Sequence, residues 1–148
     1  MGANIAALAH HTLAETMEKA RVGRLTRYQH ILLRLGEWIA FAESSASLAR
    51  RAARLADGKL HEKANRRLDV TALAALSRVF AREAALKVAE EGARWVCGAS
   101  SMNDAEIAAF ETSLQLAAVH RAQAGLMSDM DFIADVLYAR AAKPALAA

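Results

Sequence analysis

The stretch Ala75–Ser100, ALSRVFAREAALKVAEEGARWVCGAS, decides the fold of this chain. Read back to Asp69, it carries Leu73, Leu76, Phe80, Ala84, Val88, Gly92 and Trp95 at intervals of three and four residues, the period of one helical face. Val79, Leu86 and Val96 widen that face, so the helix is expected to be enclosed by its neighbours. Asp69 is its expected N-cap and Gly98 its expected left-handed stop. On this reading Phe80 faces the core, and Arg82 lies toward the polar side where its loss matters little.

The same grammar extends in both directions. Asn4 is the expected N-cap of a first helix with Ile5, Leu8, Thr12, Leu13, Thr16 and Ala20 on one side, ended by Val22-Gly23. A second helix is expected from Thr26 to Ala56, stopped by Asp57-Gly58, with Tyr28, Leu32, Leu35, Ile39, Ala42, Ala46, Ala49, Ala53 and Ala56 as its apolar stripe. At the helical rise it would be about 45 Å long, with Gly36 or Ser44-Ser45 as places to bend. Downstream, Asn103 and Glu106 form a capping-box pattern that opens a fourth helix through Ile107, Phe110, Leu114, Ala117, Ala118 and Arg121, interrupted at Gly125. Ser128 and Asp131 are expected to cap a short last helix carrying Met130, Ile133, Leu137 and Tyr138.

Composition agrees. The 148 residues are 55% hydrophobic but only 5% aromatic, the balance being mostly alanine and leucine, the best helix formers. The single proline, Pro144, lies near the C-terminus. The expected fold is therefore all-α: an antiparallel four-helix bundle with a short extra C-terminal helix, one domain over residues 1–142 and a frayed tail over 143–148. The sequence starts abruptly inside a helical pattern, as expected of a C-terminal fragment of a longer chain.

Nineteen basic against sixteen acidic residues give a net charge of +3, far weaker than the footprint of a dedicated nucleic-acid binder. One cysteine, Cys97, excludes an internal disulfide framework and fits a reducing, cytoplasmic compartment. No apolar run approaches the ~18 residues needed to span a bilayer.

Catalytic patterns are missing from the sequence. Helical bundles hold paired metals with Glu-x-x-His, and no glutamate here has a histidine three residues on. His10 and His11 are adjacent, so on a helix they point about 100° apart and cannot chelate together. Cys97 sits at a helix C-terminus, where the dipole disfavours a thiolate, and reads as a structural thiol. Trp38 and Trp95 on apolar faces read as core. Glu15–Lys19, Glu83–Lys87 and Glu90–Arg94 read as ordinary solvated helix pairs. No catalytic, cofactor-binding or metal residue is assigned.

Two stretches resemble the acyl-CoA dehydrogenase family. Gln29-His-Ile-Leu-Leu-Arg-Leu-Gly-Glu37, with the alanine-rich continuation to Leu55, is similar to the helix opening the extra C-terminal helical domain of very-long-chain-type acyl-CoA dehydrogenases. Ser77-Arg-Val-Phe-Ala-Arg-Glu-Ala-Ala-Leu-Lys-Val88 is similar to the alanine-rich helix that follows it. The resemblance runs in order from Ala7 to Ala99. It implies a parent flavin enzyme, carrying FAD, that acts in fatty-acid β-oxidation. This segment would be its non-catalytic accessory domain, which packs on the core, supports a dimer and touches membrane. The family's flavin-side glycine pair is absent, since the helix ends Gly98-Ala99-Ser100, and so is its Glu-Gly-Thr base motif. The alternative is a stand-alone helical module for protein interaction or oligomerisation.

One surface feature stands out. Arg50, Arg51, Arg54, Lys59, Lys63, Arg66 and Arg67 gather around the turn at Gly58, against Asp57 and Glu62 alone. The plain reading is a solvated helix end whose cations complement the dipole. The sharper one is contact with an anionic surface, either lipid headgroups at the inner face of a membrane or an acidic patch on a catalytic core.

Overall fold

The computed structural model describes residues 2–61 and 68–138. Its helices are α1 (Ala3–Val22), α2 (Gln29–Ala56), α3 (Val70–Ala99), α4 (Asp104–Ser113), α5 (Leu116–Arg121) and α6 (Leu126–Leu137), with a 3-10 turn at Leu25–Arg27. Among the described residues there is no strand, and no helix is long and apolar enough to cross a membrane. The boundary expected at residue 142, and the tail beyond it, lie outside the described residues.

α3 is the axis of the bundle. α1 lies parallel to it, with Gly2 beside Ser77 and Thr16 beside Gly92. α2 runs antiparallel to both, placing His10 near Glu43 and Lys87 near Glu37. The chain from α4 to α6 returns antiparallel to α3 as a broken fourth element, with Glu90 facing His120 and Arg78 facing Asp129. α3 has neighbours on several sides, which is why Leu73, Ala75, Ala81, Ala84, Ala85, Val88, Ala89 and Val96 are all buried.

The buried seam of α2 is Ile31, Leu35, Trp38, Ala42, Ser45, Ala49 and Ala52, alternating steps of four and three. The expected stripe shares Leu35, Ala42 and Ala49 with it, but Tyr28, Leu32 and Ile39 face solvent. Both phases fit the heptad, and two particular side chains decide between them. Trp38 is wholly buried, and its indole N–H donates to Glu91 at 2.9 Å. Ser45 can occupy a core position because its hydroxyl donates to the Ala42 carbonyl at 2.7 Å. The helix is continuous through Gly36 and Ser44-Ser45.

The α1–α3 contact is close because small residues line it. A methyl group built on Gly92 would stand 2.5 Å from Thr16 Oγ1, so only a bare backbone fits there. Thr16 Oγ1 is buried and has no hydrogen-bond partner among the described residues.

Several helix ends differ from expectation for tertiary reasons. α1 begins at Ala3, after Gly2 in a left-handed conformation (φ 78°), rather than on an Asn4 cap. Gly2 is buried against Ser77, and that packing sets the start. α2 starts at Gln29, because the chain first makes the 3-10 turn that buries Leu25. α3 passes through Gly98 and stops at Ser100, whose extended backbone still donates to the Val96 carbonyl. Asp69 caps α3 and the Asn103–Glu106 box caps α4, both as expected. The fourth helix breaks at Gln115, which is left-handed at φ 52°. Phe110, Leu114 and Val119 are all buried, and their spacing of four and then five leaves the helical period, so the backbone must turn between them. α6 takes Gly125 (φ 81°) as its N-cap, three residues ahead of the expected Ser128 cap.

The aromatic positions of α3 are less enclosed than its pattern implies. Phe80 is half-buried and stacks in parallel on Phe41 with ring centroids 5.9 Å apart. Trp95 is half-buried beneath the guanidinium groups of Arg34 and Arg94. Lys87 bonds to Glu91 and Glu37 rather than Glu83, and Glu90 meets His120 rather than Arg94.

Gly92→Ala tests the close approach. Helix propensity alone favours alanine by roughly 1 kcal/mol, whereas overpacking against Thr16 is expected to win and cost about 1–3 kcal/mol in urea melts. Adding Thr16→Ala should recover most of the loss, and an unchanged midpoint for the single variant would refute this account of the contact.

Candidate interaction surface

Among the described residues, no group of three or more His, Cys, Asp or Glu side chains is placed to hold a metal ion. His10 and His11 point to different neighbours: His10 toward Glu43, while His11 Nε2 donates to the Ser113 carbonyl at 2.8 Å. Cys97 is half-buried, and burial, with help from the Glu111 charge, pushes its thiol up against the opposing pull of Lys19. Such a group stays protonated at neutral pH and is a weak nucleophile.

The basic collar divides. Arg50, Arg51 and Arg54 lie exposed on the last turns of α2, and Lys59 pairs with Asp57 at 3.0 Å. Lys63, Arg66 and Arg67 lie outside the described residues.

The most constrained polar cluster is one that sequence reasoning missed. Arg82, expected on the polar face, is 6% exposed. Its Nη1 donates to Asp129 at 2.6 Å, its Nε to the Ala122 carbonyl at 2.8 Å and its Nη2 to the Ala124 carbonyl at 2.8 Å. Arg78, one turn earlier, donates to both oxygens of the same carboxylate. The planar guanidinium fork suits this task, since one side chain satisfies a carboxylate and two orphan carbonyls together. Gln123 closes the cluster by donating to the Arg82 and Val119 carbonyls. The Arg78 bonds hold the Asp129 carboxyl down to about 2; burial opposes them, and the Arg82 bond adds to them. The one local signal in the sequence was a pair of arginines a turn apart on an alanine-rich helix; their partner lies far along the chain.

This clasp fixes which face of α6 meets α3. Leu126, Phe132, Ile133 and Val136 turn inward with Asp129 and are half-buried. Met127, Met130 and Leu137 are left outward at 66%, 45% and 69% exposure. With Ala134 they follow steps of three, four and three, the spacing of a coiled-coil seam. Asp131 and Asp135 are exposed and border the stripe on one side. The result is a short helix that is apolar on both faces, with one face still open.

No family model, curated protein or solved structure matches the chain.

Removing the clasp should be costly. Arg82→Ala strands two carbonyls and half of a paired carboxylate, an expected loss of about 3 kcal/mol by urea denaturation. A loss below about 0.5 kcal/mol, typical of a surface site, would show that the clasp does not hold α6.

The clasp also sets an acid limit. The Asp129 carboxyl is held below its ordinary value of 3.8, so its contribution is complete above that pH and is lost as pH falls toward about 2. Asp129→Asn should flatten the stability profile in that window, whereas a profile parallel to the parent's would contradict the assignment.

Proposed function

We propose that this chain is a non-catalytic helical docking module, and that it serves as the accessory domain of a flavin-dependent acyl-CoA dehydrogenase. The observation that carries the docking part is the open seam of α6, clasped to α3 from behind and lined by Met127, Met130 and Leu137. Methionine-rich apolar helices suit helix-in-groove recognition because the side chains repack to fit a partner. The acidic border at Asp131 and Asp135 favours a partner helix with basic flanks. The dehydrogenase part rests on the resemblance of Gln29–Leu55 and Ser77–Val88. In this reading FAD and the β-oxidation chemistry belong to the rest of the parent polypeptide, in a reducing, cytoplasmic setting.

The α6 seam also favours a second reading, in which it pairs with its counterpart in another copy and the chain is a homo-oligomerising module. The collar at Arg50, Arg51 and Arg54 is read as a solvated helix end, complementing the carbonyls of α2.

Sequencing the genomic locus upstream of Met1 tests the dehydrogenase part. A continuous reading frame encoding a flavin-binding portion is expected, and an in-frame stop with no such portion beside it would remove that reading. The purified chain, mixed with FAD, is expected to elute colourless and to oxidise no acyl-CoA; a retained flavin chromophore would overturn the non-catalytic assignment. Sedimentation of the parent and Met130→Glu across a concentration series separates the second reading. Concentration-dependent association lost in the variant supports self-pairing, and a monomer throughout excludes it.

A further inference from the structure

We infer that the end of the bundle where α1 and α3 finish holds a binding site for a small organic anion with an apolar body. A cleft of about 640 Å³ opens there, between the ends of α1 and α3 and the starts of α2 and α4. That volume falls within the range of small-molecule sites.

Its charge is unbalanced. Lys19, Arg24 and Arg27 line it, and none of them makes an ion pair among the described residues. The one acid on its wall, Glu106, is already engaged, accepting from the Asn103 backbone N–H at 2.9 Å. The C-termini of α1 and α3 contribute about one negative charge in total, and the N-termini of α2 and α4 return roughly as much. After Glu106, an excess of about two positive charges is left. α2 adds donors: it begins at Gln29 with no side-chain cap and no acid in its first turn, and its N-cap residue Tyr28 is part of the cleft wall.

The rest of the wall is apolar. Val22, Leu25, Val96 and Met102 line it together with the Tyr28 ring. Cations beside an apolar floor select a ligand that has both an anionic head and an apolar body. Ser100 lines the cleft too, and its buried Oγ has no hydrogen-bond partner among the described residues.

Backbone strain falls at the same place. Arg24 is left-handed (φ 55°, ψ 27°), a conformation that helix ends normally give to glycine. Gly23 stands one position too early to occupy it and takes ordinary helical angles instead. Holding an arginine there costs about 1 kcal/mol or more, and strain of this kind collects at binding sites.

Three probes separate the components: phenyl phosphate carries head and body, inorganic phosphate the head alone, and phenol the body alone. In amide NMR titrations of the full chain, phenyl phosphate is expected to shift residues 22–28 and 96–102, and to weaken as salt rises. Each partial probe should bind at least about tenfold more weakly, the worth of one charge-assisted contact or its apolar counterpart. Arg24→Gly is the decisive variant, because it removes the charge and relieves the strain together. It should melt no lower than the parent and bind phenyl phosphate about tenfold more weakly. Lys19→Gln, in the last turn of α1, should weaken binding in the same direction. Phosphate alone binding as tightly as phenyl phosphate would reduce the site to charge attraction. Equal binding of phenol would reduce it to an apolar crevice, and shifts elsewhere or unchanged affinity in both variants would overturn the site.

Discussion

The contact between Thr16 and Gly92 fixes how near α1 comes to α3, and most of the bundle follows from that distance. Few large side chains are available to fill a core, so helices rich in alanine must approach closely if they are to exclude water. Ala9, Ala20, Ala84, Ala85 and Ala89 do this over most of the core, with Trp38, Ile31 and Leu114 as fully buried larger fillers. A close seam leaves no room for adjustment. A single added methyl meets Thr16 directly, and the Thr16 hydroxyl, without a hydrogen-bond partner among the described residues, indicates that packing there outweighs hydrogen-bond satisfaction.

A close three-helix core has a second consequence. Once α1 and α2 have covered α3 on two sides, the remaining strip is served by helices that are individually short, α5 and α6. Helices of this length are marginal on their own, so they need an anchor from outside their own backbone. Arg82 supplies it by reaching the carbonyls of Ala122 and Ala124 and the carboxylate of Asp129 together. The anchor is polar, which leaves the hydrophobic residues of α6 free of that duty. Its outer apolar face is therefore surplus to folding, and this surplus is what suggests a partner.

The sequence was legible where structure is local. Asp69 before Val70 and Asn103 with Glu106 cap their helices through contacts spanning three residues, and both were readable from spacing alone. The all-helical class was readable for the same reason. The seam of α2 was not, because Leu32, Ile39 and Ala46 repeat as well as Ile31, Trp38 and Ser45, and the tie is broken by Trp38 reaching Glu91 on α3 and by Ser45 bonding within its own helix. Gly98 offered a stop that packing did not take, while Gly2 supplied a start that Asn4 was expected to give. Arg82 is the largest misreading. A charged residue on an apolar helix reads as solvated, and the carboxylate that overturns this comes from a distant segment. The cleft at Arg24 was also hidden, since its walls are contributed by four separate helix ends.

Charge is distributed so that these surfaces stay distinct. Lys19, Arg24 and Arg27 stand at the end where α1 and α3 finish, and Arg50, Arg51 and Arg54 at the opposite end, where α2 finishes. Cations at helix C-termini serve the dipole in both places, yet the two ends differ in kind. At the α2 end the helix runs out into exposed side chains, and Lys59 is neutralised by Asp57. At the other end the cations surround a concave, partly apolar space and are matched by one carboxylate that is already engaged. The α6 flank carries the opposite sign, with Asp131 and Asp135 beside its apolar seam. A basic-flanked helix finds no attraction at either cationic end, and a small anion finds none at the acidic flank. Within a few ångströms of each surface these preferences are set by local charges, because salt screens longer-range fields beyond about 8 Å. The fold therefore keeps the exposed apolar face of α6 and the cationic cleft electrostatically separate on one small bundle.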